Sequence, residues 1–219
     1  MKKEKFLDPN LKNKSKTVEN KIQLFNHQGT MLPLPTEIEI SESGTCNRTC
    51  SFCPRSATDF VDKKDFISNL LHEKMCVELK ELNYKGTIRY SGFVEPMLDK
   101  NIFNLISMVR RYLPGSNIEM VTNGDPLNLK RLNKLFESGL NKILISSYDG
   151  KEESQILEDL CISANLKKEQ YIVRHRYYSE EQDFGITLSN RSGLMTNAEF
   201  KIDELKEPLK KPCYIPSYT

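Results

Sequence analysis

The stretch "CNRTCSFCP" places thiols at Cys46, Cys50 and Cys53, spaced by three residues and then by two, with a proline behind them. Thiolates are soft ligands, and clusters of them select zinc or iron–sulfur centres. A structural zinc site takes four protein ligands, usually as two separated pairs, and this loop supplies three. His72 and His175 could add a fourth ligand but stand at no zinc-type spacing. A four-iron cluster held by three thiolates instead leaves one iron without a protein ligand, able to bind and activate a small molecule. Cys76 and Cys161 fall in helical stretches and read as small buried hydrophobes.

A chain of 219 residues can enclose one sizeable core around such a loop. With 38% apolar and 28% charged residues the composition is that of a globular protein, and no apolar run reaches bilayer-spanning length. That argues against a membrane protein. The start, "MKKEKFLDPNLKNKSK", is lysine-rich without the apolar segment of a secretory signal, so a cytoplasmic location is expected, where thiols stay reduced or metal-bound. A net charge of +2, with lysines and acids interspersed, leaves no nucleic-acid footprint. Residues 1–35 read as an N-terminal extension whose basic beginning is solvated.

The elements that must position the thiols alternate in type. "EIEIS" predicts a strand over 36–41, directly before the cysteine loop. The spacing of Phe66, Leu70, Leu71, Met75 and Leu79 predicts a helix over 59–82. "GTIRYSG", "NIEMVTNG", "NKILISSYDG" and "QYIVRHRYY" follow as strands. Between them lie helices over "NIFNLISMVRRYL", over "LNLKRLNKLFESG" ending at Gly139, and over 152–164. "FGITLS" reads as one more strand. This alternation specifies βαβ units and a parallel α/β sheet, open or closed into a full or partial barrel. In either arrangement function belongs at the carboxyl ends of the strands. There the cysteine loop, "GFVEP", "TNG" and "SYDG" would meet.

The C-x3-C-x2-C order, with Phe52 before the third cysteine and the loop leaving the first strand, resembles the radical S-adenosylmethionine superfamily over about residues 36–189. The resemblance implies a partial (β/α)6 barrel over 36–205. Cys46, Cys50 and Cys53 would hold one 4Fe-4S cluster, and S-adenosylmethionine would chelate its open iron and be cleaved to a 5′-deoxyadenosyl radical. By the same resemblance Phe52 lies near the adenine. "GFVEP" resembles the glycine-rich motif after the second strand, in which Gly92 admits the backbone close to the cofactor and Glu95 receives its ammonium group. The family often has a second glycine where this chain has Val94. Ser146 resembles a fourth-strand serine that reaches the ribose. "VTNGD", with Asn123, is a turn signal in its own right. Strand alternation puts Arg174 and Arg176 on one face and His175 on the other, and Arg174 is the candidate for a carboxylate partner.

"LSNRSG" and the tail "KKPCYIPSYT" resemble the approach to the accessory domain of the SPASM/twitch subfamily, so residues 206–219 are expected to begin such a segment, truncated, with Cys213 unligated. The implied substrate is a peptide or a sugar-like small molecule, and the implied reducing partner is a flavodoxin or ferredoxin. The alternative reading is a zinc-stabilised, non-catalytic binding module.

Overall fold

The computed structural model describes residues 22–50, 52–57 and 59–176. Its centre is a parallel sheet of β3 (Glu37–Ile40), β4 (Thr87–Tyr90), β5 (Asn117–Thr122), β6 (Lys142–Ser147) and β7 (Tyr171–His175). Before it lies a hairpin of β1 (Leu24–His27) and β2 (Thr30–Pro33). Among the described residues the α-helices are α1 (Asn69–Glu81), α2 (Ile102–Tyr112), α3 (Leu129–Glu137) and α4 (Lys151–Ser163), one between each pair of successive strands of the parallel sheet.

Each sheet strand pairs in parallel with the next in sequence, so the order is β3-β4-β5-β6-β7 with no reversal. A doubly wound sheet reverses its order and puts helices on both faces. Sequential order sends every crossover to the same face, as in a (β/α) barrel, and successive helices pack against each other there. The described residues thus form the α/β arrangement expected, in keeping with a partial barrel. "FGITLS" and Cys213 lie outside them.

Alternation along the strands divides the two faces. Ile88, Tyr90, Ile118, Met120, Ile143 and Ile145 are fully buried toward the helices, against Leu105, Ile106, Leu132 and Leu135. The opposite, concave face is more polar, with Leu144 buried among polar side chains. At its amino end the Arg89 guanidinium joins Glu37 at 2.5 Å and Glu119 at 2.6 Å, with all three side chains at most 4% exposed.

The long first helix is shorter than its spacing predicts. α1 begins at Asn69, where the Ser68 hydroxyl accepts from the Leu71 amide at 3.2 Å. Residues 65–67 are held instead by the segment after β3: Gly44 N–H donates to the Asp65 carbonyl, Ile67 N–H donates to the Glu42 carbonyl, and Phe66 bridges Ser43. Phe66, Leu70 and Leu71 are exposed, and α1 buries His72, Cys76 and Leu79. The second half of the predicted row, Met75 and Leu79, packs against the core, while Phe66, Leu70 and Leu71 stand off the face that packs.

The hairpin was not marked by any alternation of residue types. Its turn puts Gln28 at φ 49° and Gly29 at φ 84°, the left-handed pair that matches strand twist. Gln23 ties it to the sheet, donating to the Asn83 carbonyl at 2.6 Å and accepting from the Lys85 amide at 3.0 Å.

Candidate active site at the carboxyl ends of the strands

The cysteine loop leaves β3 and doubles back across the ends of β4, β5 and β6. Cys46, Cys50 and Cys53 are free and half-buried, whereas Cys76 and Cys161 are fully buried in the core. Cys53 N–H donates to the Cys50 carbonyl at 2.9 Å, and the turn Pro54–Ser56 follows at once. Burial raises the Cys46 thiol and pushes that of Cys50 up to about 11. Thiols of this kind ionise readily only beside strong positive charge, such as a bound metal.

Polar hydrogens point at one of these sulfurs. The Arg48 amide lies 3.4 Å from the Cys46 sulfur, and the Asn123 amide nitrogen lies 3.9 Å from it. Such contacts suit a ligating thiolate. Among the described residues no three His, Cys, Asp or Glu side chains converge on a point that would hold a single metal ion. A four-iron cluster makes no such demand, because its thiolates bind separate irons. The donor set therefore fits the cluster in number, chemistry and placement on one loop. His72 does not join it: its Nε2 pairs with the Tyr90 hydroxyl at 2.9 Å on the helix-facing side of the sheet.

"GFVEP" braces the loop. Glu95 N–H donates to the Thr45 carbonyl at 2.9 Å. Gly92 adopts φ +120°, and a Cβ there would stand 2.1 Å from the Ser41 hydroxyl oxygen, so only glycine fits. The space gained is filled by Ser41, which donates to the Ser91 carbonyl.

Glu95 is 1% exposed. One carboxylate oxygen accepts from the Met97 amide at 3.0 Å and the Thr122 hydroxyl at 2.7 Å; the other accepts from the Asn123 amide at 2.7 Å. Burial raises its pKa, and these hydrogen bonds counter that. The side chain ties the end of β4 to the end of β5.

Asn123 has more than a turn role. Its side-chain amide donates to the Asn47 side-chain oxygen Oδ1 at 2.7 Å, which fastens "TNG" to the cysteine loop. Ser146, buried at the end of β6, accepts from Arg174 at 3.4 Å and also bonds the Tyr148 side chain. Arg174 and Ser146 are register partners, so the structure brings these two candidates together. Phe52 packs on Tyr148 with ring centroids 5.7 Å apart. Burial pushes the Tyr148 phenol up to about 12.

Arg48 and Tyr148 were not singled out from the sequence. The Arg48 guanidinium pairs bidentately with Asp125 (2.5 and 2.7 Å) and with Asp149 (2.7 and 2.9 Å), reaches Glu153 at 3.2 Å, and lies over the Tyr148 ring. Those acids come from the loops after β5 and β6 and from the first turn of α4. The only local signal was a base placed between two cysteines, and it says nothing about which acids it meets.

Residues 40–182 match the family model of the Radical SAM superfamily. The chain is similar to the S-adenosyl-L-methionine-dependent 2-deoxy-scyllo-inosamine dehydrogenase of Niallia circulans, 30% identical over 161 residues, covering 73% of this chain and 60% of the relative. It is also similar to the GTP 3′,8-cyclase of Mesorhizobium japonicum, 27% identical over 112 residues, covering 50% of this chain and 33% of that protein. Among solved structures it resembles BtrN in complex with AdoMet and 2-DOIA, with a TM-score of 0.62 and 27% identity over 74% of this chain and 63% of that one. The chain thus spans less than two thirds of the length of each.

Proposed function

The chain belongs to the radical SAM superfamily, and from that premise we propose that it binds a 4Fe-4S cluster through Cys46, Cys50 and Cys53 and cleaves S-adenosylmethionine. The observation that carries this reading is the half-buried three-thiol loop, laced by backbone and side-chain hydrogen bonds to the ends of β4 and β5. When bound, the cluster and S-adenosylmethionine together supply one-electron cleavage to methionine and a 5′-deoxyadenosyl radical, which takes a hydrogen atom from a substrate C–H bond.

The chain's own residues bind, orient and shield. Glu95 offers an ammonium group what remains of its carboxylate: about four acceptor positions, of which protein donors occupy those facing Met97, Thr122 and Asn123. Gly92, at φ +120°, lets the chain turn beside it, with Ser41 in the space a Cβ would take. Ser146 and Arg174 form a donor pair on the concave face, suited to hydroxyl and carboxylate oxygens. Phe52 and Tyr148, rings tilted by 32° on each other, supply an aromatic wall against which an adenine would pack, shielding one flank of the loop from water. The substrate we assign is a hydroxyl-bearing, sugar-like small molecule rather than a peptide. The similarity to a cyclitol dehydrogenase over most of this chain supports that choice.

The test is anaerobic reconstitution followed by dithionite-driven release of 5′-deoxyadenosine. Wild-type chain should release it. A preparation that holds four irons per cluster but leaves S-adenosylmethionine intact would refute the proposal.

A further inference from the structure

Arg55 is a charged group of the cysteine loop to which the reading above gives no task. It follows Cys53 by two residues on the Pro54–Ser56 turn, and its side chain is 5% exposed. One terminal nitrogen donates to the carbonyls of Gly44 and Phe93, both at 3.1 Å, and the other donates to Asp62 at 2.5 Å. Its Nε is buried with no hydrogen-bond partner among the described residues. Phe60 covers the guanidinium at 5.0 Å. Gly44 stands two residues before Cys46 and Arg55 two residues after Cys53, so the charge sits where the entry and exit of the loop come together, close enough for its field to reach the Cys46 thiol.

The two arginines of this loop are neutralised very differently. Arg48 meets Asp125, Asp149 and Glu153, so one positive charge faces three negative ones. Among the described residues Arg55 pairs with one acid, Asp62, whose side chain is 45% exposed and therefore screened by water. Arg55 is thus the less compensated and more deeply buried cation. A buried cation favours whichever state of a neighbouring group carries more negative charge. Cluster potentials respond to nearby charge, to hydrogen bonding and to solvent exposure.

We propose that Arg55 is a positioning residue that raises the reduction potential of the cluster held by Cys46, Cys50 and Cys53. The proposal rests on the cluster assignment above. The step it favours is a single-electron reduction in which no bond forms or breaks, with the electron supplied by an external reductant.

The experiment is a mediated redox titration of the reconstituted full chain, read by electron paramagnetic resonance, on wild type, Arg55→Met and Asp62→Asn after matching their iron and sulfide contents. Arg55→Met should lower the ratio of reduced to oxidised cluster at a fixed potential by about tenfold, which for one electron is about 59 mV. Asp62→Asn removes the compensating charge and should move the midpoint the other way by a smaller amount. Opposite shifts support the proposal, because a purely structural role would leave a loaded cluster's potential where it was. Unchanged midpoints in both variants, or an upward shift in Arg55→Met, would overturn it. Should Arg55→Met fail to load, Asp62→Asn decides: an upward shift supports the proposal and an unchanged midpoint refutes it. Wild-type chain without a four-iron cluster would defeat the cluster assignment and this proposal with it, whereas a normal cluster insensitive to both substitutions would defeat this proposal alone.

Discussion

The two ends of one parallel sheet are built on opposite principles. At the amino end, Glu37, Arg89 and Glu119 are buried and pair among themselves, and Asn117 adds a hydrogen bond to Glu119 at 2.8 Å. At the carboxyl end, the thiols of Cys46, Cys50 and Cys53 are half-buried with only weak protein contacts, and charged groups such as Arg48 brace the loops around them. The contrast separates stability from chemistry. A self-satisfied buried network holds strands together and offers nothing to a ligand, whereas a site keeps its reactive groups uncommitted and spends its hydrogen bonds on the loops that carry them.

The sharpest way to break the comparison is to alter each end in turn and ask whether the consequences stay apart. Cys50→Ala should abolish 5′-deoxyadenosine release and cut iron content severely, while the unfolding midpoint of the metal-free chain stays near that of wild type. Loss of fold in the metal-free variant would mean the loop is structural. Arg89→Met should do the reverse. Removing one partner strands buried carboxylates, at a cost of about 3–5 kcal/mol in chemical denaturation, yet chain still folded in the cold should load iron normally.

This division of labour explains what could be read from the sequence. β3 to β7 and α2 to α4 follow from local apolar periodicity, and the cysteine loop follows from spacing alone, so both were legible. Other features depend on partners distant in the chain. Arg48 meets Asp125 and Asp149, 77 and 101 residues away, and no local pattern pairs a base with those acids. Glu95 was legible as an acid in a glycine-containing turn. That its oxygens accept from Met97, Thr122 and Asn123 was not, since two of those donors lie on the next strand and its turn. The start of α1 was misplaced for the same reason: residues 65–67 follow hydrogen bonds to the segment after β3, which outweigh their helical spacing. The β1–β2 hairpin rests on two left-handed turn residues, only one of them glycine.

Just past the carboxyl end of β3 lies a buried acid that tests the comparison through pH. Glu42 is 1% exposed, one of its oxygens has no hydrogen-bond partner among the described residues, and burial pushes its pKa up from 4.5 to about 7. Its folded pKa exceeds its unfolded one, so the folded state binds the proton more tightly. Stability is therefore full below about pH 4.5 and falls as pH rises toward about 7, above which the loss is constant. Glu42→Gln should be more stable than wild type by up to about 3 kcal/mol above pH 7 and equal to it below pH 4.5. An advantage independent of pH would show that packing rather than ionisation is responsible. A smaller effect is expected from Glu95→Gln, which replaces an accepting oxygen with an amide among three protein donors. Iron content should hold while S-adenosylmethionine affinity falls roughly tenfold, about 1.4 kcal/mol, as measured by equilibrium binding to the reconstituted chain. Unchanged affinity would leave Glu95 a brace between strands and nothing more.

The central claim is that the three thiols hold a cluster with one iron open to S-adenosylmethionine. The most direct measurement is electron paramagnetic resonance of the reconstituted, dithionite-reduced chain with and without S-adenosylmethionine, alongside an iron and sulfide count. The predicted result is a brown protein with about four irons per chain and a reduced-cluster signal that changes shape when S-adenosylmethionine is added. Zinc in place of iron, or a cluster signal that S-adenosylmethionine leaves untouched, would contradict it.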